Sequence, residues 1–156
     1  MRKRVFCPIF VLAVMMLAST FAVAQASRPS VKSAEVNGTF WMKYKGKFKD
    51  TANEIKILAL GGGKLRVSMS LLYPYTTAQG ELSANMGELD GEALIEGDTA
   101  VYESSEPEKC KITIKFVKLG TIKVRQDGAD FSCGFGHRVT ADGTYTRISA
   151  KKPKFD

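Results

Sequence analysis

The sequence predicts an all-β domain, an antiparallel barrel of about eight strands, on three observations. Apolar and polar residues alternate with period two through much of residues 38–149, turn-forming glycines recur at hairpin spacing, and no segment carries a convincing amphipathic helix period. Nearly every link is hairpin length, which favours an up-and-down path, and closing the sheet removes its edges. A two-sheet β-sandwich fits the same pattern and is the alternative.

In chain order, Gly38 to Tyr44 reads as a first strand with Phe40, Met42 and Tyr44 on one side and Trp41 on the other. The chain reverses over Phe48 to Ala52. Asn53 to Leu60 gives a second strand with Ile55, Ile57 and Ala59 inward, and Gly61-Gly62-Gly63 supplies the turn. That triplet precedes Lys64, but the G-x-x-x-x-G-K-[ST] frame of a phosphate loop is missing. Leu65, Val67, Met69 and Leu71 alternate with Lys64, Arg66, Ser68 and Ser70 in a third strand, which Pro74 is expected to end because it lacks an N–H.

Residues 75–87 read as a loop holding at most a short irregular element, broken by Gly80 and Gly87. Glu88 to Glu96 and Thr99 to Glu103 follow as strands joined at Gly97-Asp98, with Gly91 marking a bulge or the close approach of another strand. Glu103 to Glu108 is a short acidic loop. The organising stretch comes next: Cys110, Ile112, Ile114 and Phe116 alternate with Lys111, Thr113 and Lys115, and beyond Gly120 Ile122 and Val124 alternate with Lys123 and Arg125. These two runs form an antiparallel hairpin with its apolar face inward. A Gly-rich segment from Cys133 to Gly143 then leads into a last strand through Tyr145 and Ile148.

The ends carry a different message. Met-Arg-Lys-Arg, an apolar run over residues 5–18 and small residues at Ala22, Ala24 and Ala26 make residues 1–26 a secretory signal peptide, with cleavage after Ala24 or Ala26. A membrane anchor would need about 20 apolar residues and a charged stop, so no stable membrane insertion is expected once the signal is removed. The remainder divides into a flexible lead-in at 27–37, a single β domain at 38–149 and a basic tail at 150–156. Localisation is periplasmic or secreted.

Composition narrows the function classes. The chain has 23 basic and 16 acidic residues, net +7; losing Arg2, Lys3 and Arg4 with the signal leaves 20 against 16, or +4. The lysines stand singly along alternating strands, with a terminal cluster at Lys151, Lys152 and Lys154. Without a basic patch interleaved with stacking aromatics, nucleic acid is not the expected partner. Signal removal also leaves Cys110 and Cys133, an even pair in an exported chain, which predicts one disulfide. Two cysteines and one histidine without C-x-x-C spacing are too few for a closed zinc site, so no metal and no cofactor is expected.

Catalysis would need a nucleophile with a base, paired carboxylates or a metal constellation. The single histidine, His137, sits in a Gly-rich loop where Asp130 or Asp142 is its nearest candidate partner, and no G-x-S-x-G motif is present. The chain is therefore expected not to be an enzyme. The loop itself is the better candidate: Cys133 fixes one end, strand pairing at Tyr145 fixes the other, and a pinned loop loses less entropy on docking. Phe135, His137, Arg138 and Asp142 are its candidate binding residues, with Phe135 either an aromatic anchor or a plug for the barrel end.

The run Gly91 to Tyr145, with Gly-Asp-Thr-Ala-Val-Tyr, Cys-Lys-Ile-Thr-Ile-Lys-Phe and Cys-Gly-Phe-Gly-His-Arg-Val-Thr-Ala-Asp-Gly-Thr-Tyr, resembles small exported bacterial domains grouped with lysozyme-inhibitor-like proteins. That resemblance covers under half of the chain beyond the signal. It implies a noncatalytic β-barrel that pushes a loop into the active-site cleft of a protein partner such as a lysozyme. The Ser-Gly-x-x-Tyr loop of the C-type inhibitors is absent, so no inhibitory residue is carried across. Two further readings stand beside it, a barrel that encloses a small apolar ligand and a structural envelope domain.

Overall fold

A computed structural model describes residues 31–104, 109–128 and 130–155. The signal-peptide reading of residues 1–26, the start of the lead-in and most of the acidic loop after Glu103 lie outside the described residues. Eight strands run β1 (Gly38–Lys43), β2 (Ala52–Gly61), β3 (Lys64–Thr76), β4 (Leu82–Glu96), β5 (Thr99–Glu103), β6 (Lys111–Lys118), β7 (Thr121–Asp127) and β8 (Gly143–Ser149). Each pairs antiparallel with its sequence neighbour, and β8 returns to β1 through Phe40↔Arg147 and Trp41↔Thr146. The barrel is closed, which settles the choice against a sandwich.

The period-two pattern decides which side chains enter. Phe40, Ile55, Ile57, Val67, Met69, Ile112, Ile114, Ile122 and Tyr145 are all buried and fill the lumen. In a barrel of eight strands side chains of this size are enough to occupy the interior. The intervening residues form a wet outer face, where Trp41 Nε1 donates to Glu54 Oε2 at 2.8 Å and Arg66 meets the Asp90 carboxylate at 3.3 Å.

Alternate connections gather at opposite ends. The lower rim holds the turns after β2, β4 and β6; the upper rim holds the links β1–β2, β3–β4, β5–β6 and β7–β8. A four-residue helix, α1 (Ser33–Val36), closes the lower end, with Val36 buried and Arg147 Nη1 donating to the carbonyl of Glu35 at 3.3 Å. From Val31 onward the lead-in is therefore docked, and Val31 N–H donates to the carbonyl of Gly97 at 3.2 Å. The basic tail follows an irregular path along the outside, its Phe155 ring 4.3 Å from the Arg66 guanidinium.

Two sequence expectations fail on β3 and β4. Pro74 does not end β3; it pairs with Ala84 inside a ladder that continues to Thr76↔Leu82. Leu72 N–H points toward β2, where it donates to Asn53 Oδ1 at 2.9 Å, and alternation turns the proline nitrogen to that same side. The β2–β3 ladder extends no further than Ser70, so the absent N–H leaves no bond unmade. Much of the segment read as a loop at 75–87 is accordingly the first half of β4, joined to β3 by a turn in which Thr77 N–H donates to the carbonyl of Glu81. Gly91 carries no bulge. A Cβ there would stand 2.5 Å from Cε2 of Tyr102, so the glycine admits the β5 ring.

Candidate functional site

The upper rim is built around the Cys110–Cys133 disulfide, whose Cα atoms lie 4.7 Å apart. It ties the segment after β7 to the residue preceding β6. Ser104 and Cys110 close the intervening loop, with Ser104 N–H donating to the Cys110 carbonyl at 2.9 Å and Cys110 N–H to Ser104 Oγ at 3.1 Å. From Cys133 the chain crosses to β4. The β4–β5 ladder covers only Leu94 to Glu96 on β4, leaving the upper part of that edge without β5.

The pinned segment covers this edge. Gly136 N–H donates to the Met86 carbonyl at 2.9 Å, and Asn85 Nδ2 donates to the His137 carbonyl at 2.8 Å. Phe135 is 4% exposed and lies against Gly87, where any side chain would occupy the space of the ring. Phe135 is thus a plug, and its burial removes it from the surface a partner could touch. Val139, at 0% exposure, is a second anchor.

Between these anchors the chain makes one β-turn. Val139 N–H donates to the Gly136 carbonyl at 3.0 Å, which puts His137 and Arg138 at the two corner positions. Both side chains are exposed. Arg138 has φ of 63°, the left-handed region that favours glycine, and its guanidinium carbon sits 4.6 Å from the Tyr73 ring centroid. Holding a bulky side chain there costs about 1–2 kcal/mol relative to a residue without a Cβ. The segment's other end is set by Asp142, whose Oδ1 accepts from Gln126 N–H at 2.6 Å, and by Gln126 Oε1, which accepts from Ala141 N–H at 3.0 Å.

The four residues singled out by sequence therefore separate. His137 and Arg138 project together, Phe135 is buried beside them, and Asp142 holds the base of the segment. No hydrogen bond or ion pair joins the His137 side chain to Asp142 among the described residues; the side chain of Asp130 lies outside them. Among those residues no group of three or more His, Cys, Asp or Glu is placed to hold a metal.

Under the turn, Asn53 is 1% exposed and its Oδ1 takes the Leu72 N–H. The Tyr44 hydroxyl donates to the Leu72 carbonyl and lies 3.4 Å from the same Oδ1. Burial raises the pKa of Tyr44, against a smaller lowering by Asn53. Tyr145 donates to the Ala141 carbonyl at 3.0 Å, and burial pushes its hydroxyl far above the ordinary tyrosine range. These groups stiffen the platform from which the turn projects.

Sequence reasoning missed one feature of this rim. Lys43 at the end of β1 and Lys45, Lys47 and Lys49 on the β1–β2 link all stand exposed, so the lysines are not spread singly here. The signal was legible as Lys-x-Lys-x-Lys-x-Lys over residues 43–49. Lys47 Nζ bonds to Thr76 Oγ1, joining this link to the β3–β4 hairpin. Troughs lie on the outside of the barrel: one of about 520 Å³ between Trp41, Lys43 and Lys49, one of about 460 Å³ over Ser68 and Ser70 between Glu54 and Glu88, and one of about 300 Å³ beside the disulfide.

Comparison with protein-family models, with curated proteins and with solved structures returns no match to this chain.

Proposed function

We propose that the chain is an exported, noncatalytic binding protein that docks the turn at residues 136–139 into an acidic cleft of a protein partner. The observation that carries this reading is the burial sequence along the pinned segment: Phe135 in, His137 and Arg138 out, Val139 in. Two anchors and a disulfide fix a two-residue projection, so little conformational entropy remains to be lost on binding. Arg138 occupies a backbone position better suited to glycine, and such residues cluster at binding sites. A guanidinium beside an imidazole is suited to a cleft lined by carboxylates, to which Arg offers a bidentate fork.

A lysozyme is the partner class to test first, given the resemblance over Gly91 to Tyr145 and a catalytic cleft of that kind. Recognition would be short-range, because a net charge of +4 after signal removal gives little steering toward a basic lysozyme. The filled lumen supports this reading over enclosure of a small apolar ligand. Export to the periplasm or medium supplies the oxidising conditions a disulfide needs.

The test is inhibition of several lysozyme types by the protein purified from the exported fraction, with His137→Ala and Arg138→Ala alongside. Inhibition of at least one type, weakened tenfold or more by Arg138→Ala, is the expected result. Inhibition unchanged in both variants would remove the turn from the binding site, and absence of inhibition of every type would remove lysozyme as the partner.

A further inference from the structure

We infer that the β1–β2 link and the tip of the β3–β4 hairpin form a second binding surface, one that docks on an anionic phospholipid bilayer. Two kinds of group meet there. The end of β1 and the link carry Lys43, Lys45, Lys47 and Lys49, all exposed, against Asp50. The hairpin carries an aliphatic outer face in which Leu72 pairs with Met86 and Thr76 with Leu82. Leu82 is 62% and Met86 61% exposed, high values for residues of this type on an ordered strand.

These groups share one side of the rim. Lys47 bonds to Thr76 Oγ1, the neighbour of Leu82 across the hairpin, and Tyr44 bonds to the Leu72 carbonyl beside Met86. Lysines flanking a projecting aliphatic tip are the composition of an interfacial anchor: the apolar side chains enter the headgroup boundary while the ammonium groups meet lipid phosphates. The facing carboxylates set a limit. Glu81 stands at the turn and is outnumbered by the lysines, whereas Glu88, Asp90 and Glu92 begin two residues past Met86 on the same face. Docking is therefore confined to the tip, with the acidic part of β4 held in water.

Nucleic acid fits less well, because binding a strand calls for open aromatic faces. Here Trp41 and Phe48 have Lys43 and Lys47 above their rings, at 5.8 and 5.1 Å, which leaves Tyr75, 36% exposed, as a single open ring beside the more exposed Leu82 and Met86, too little for a run of stacked bases.

The test is co-sedimentation of the protein from the exported fraction with phosphatidylglycerol–phosphatidylcholine vesicles and with pure phosphatidylcholine vesicles. Binding to the anionic vesicles is expected, falling at an ionic strength of about 1 M, where screening acts within roughly 3 Å. Lys45→Gln/Lys47→Gln and Leu82→Ser/Met86→Ser should each weaken it on the order of tenfold with the melting temperature unchanged. Lys123→Gln/Lys152→Gln, the same charge change elsewhere, should leave it intact. Equal binding to neutral vesicles, no anionic binding, equal loss in the remote pair, or displacement by a single-stranded oligonucleotide would overturn the proposal. None of these readouts depends on inhibition by the His137–Arg138 turn.

Discussion

Gly87 of β4 lies beneath the ring of Phe135: a methyl group at position 87 would stand 2.7 Å from Cδ1 and 2.8 Å from Cγ. That contact couples the long hairpin to the disulfide-pinned segment. Gly87→Ala should force the ring out and destabilise the protein by roughly 1–3 kcal/mol in urea unfolding. In a Phe135→Ala background the same change should cost much less, a coupling that a double-mutant cycle reads directly.

The disulfide closes a loop with a sequence separation of 23 residues. In the chain-entropy relation a loop of this size contributes about 3 kcal/mol. Cys110→Ser/Cys133→Ser should lower stability by about that amount in denaturant unfolding, with a lower midpoint and a steeper slope because the unbridged unfolded chain exposes more surface. A barrel equally stable without the bridge would show that strand pairing alone holds the rim.

Tyr145 should make the protein alkali-sensitive. Its folded pKa lies above the unfolded tyrosine value of about 10, so the native state holds its proton where the unfolded chain has lost it. Its contribution to stability is fully present below about pH 10 and is lost as the pH climbs toward the folded value. Tyr44 is shifted in the same direction and adds to the effect. Tyr145→Phe should cost about 1 kcal/mol at neutral pH, through the lost bond to the Ala141 carbonyl, and should flatten the alkaline decline in thermal unfolding.

Arg138 separates stability from binding. Arg138→Gly relieves the left-handed backbone but loses the contact with Tyr73, so stability should stay within about 1 kcal/mol of the parent. Arg138→Val places a β-branched residue at φ of 63° and should cost more, as judged by thermal melts. Both variants should bind the partner more weakly, because both lack the guanidinium.

Much of the barrel was legible because its signal is local. Ile112, Ile114, Ile122 and Val124 announce an inward face through period two alone, and the cysteine pair follows from counting. Pro74 and Gly87 look like breakers in the sequence because their tolerance depends on non-local facts. Pro74 sits beyond the end of the β2 ladder, and Gly87 sits under a ring 48 positions later in the chain. The candidate site was half legible: the Gly-rich segment stood out, yet only the fold sends Phe135 inward and leaves His137 and Arg138 at the turn corners. The Lys43–Lys49 run was visible, but its meaning came from Thr76 and Leu82, which the fold brings beside it.

A rim segment shaped before any partner arrives is tested most directly at a single amide. Gly136 N–H is bonded to the Met86 carbonyl, and the disulfide three residues earlier keeps it there. Hydrogen exchange of this amide in the oxidised protein should be slowed like that of neighbouring β4 amides, and reduction should release it toward the unprotected rate. Exchange at the unprotected rate in the oxidised protein would contradict a pre-shaped segment.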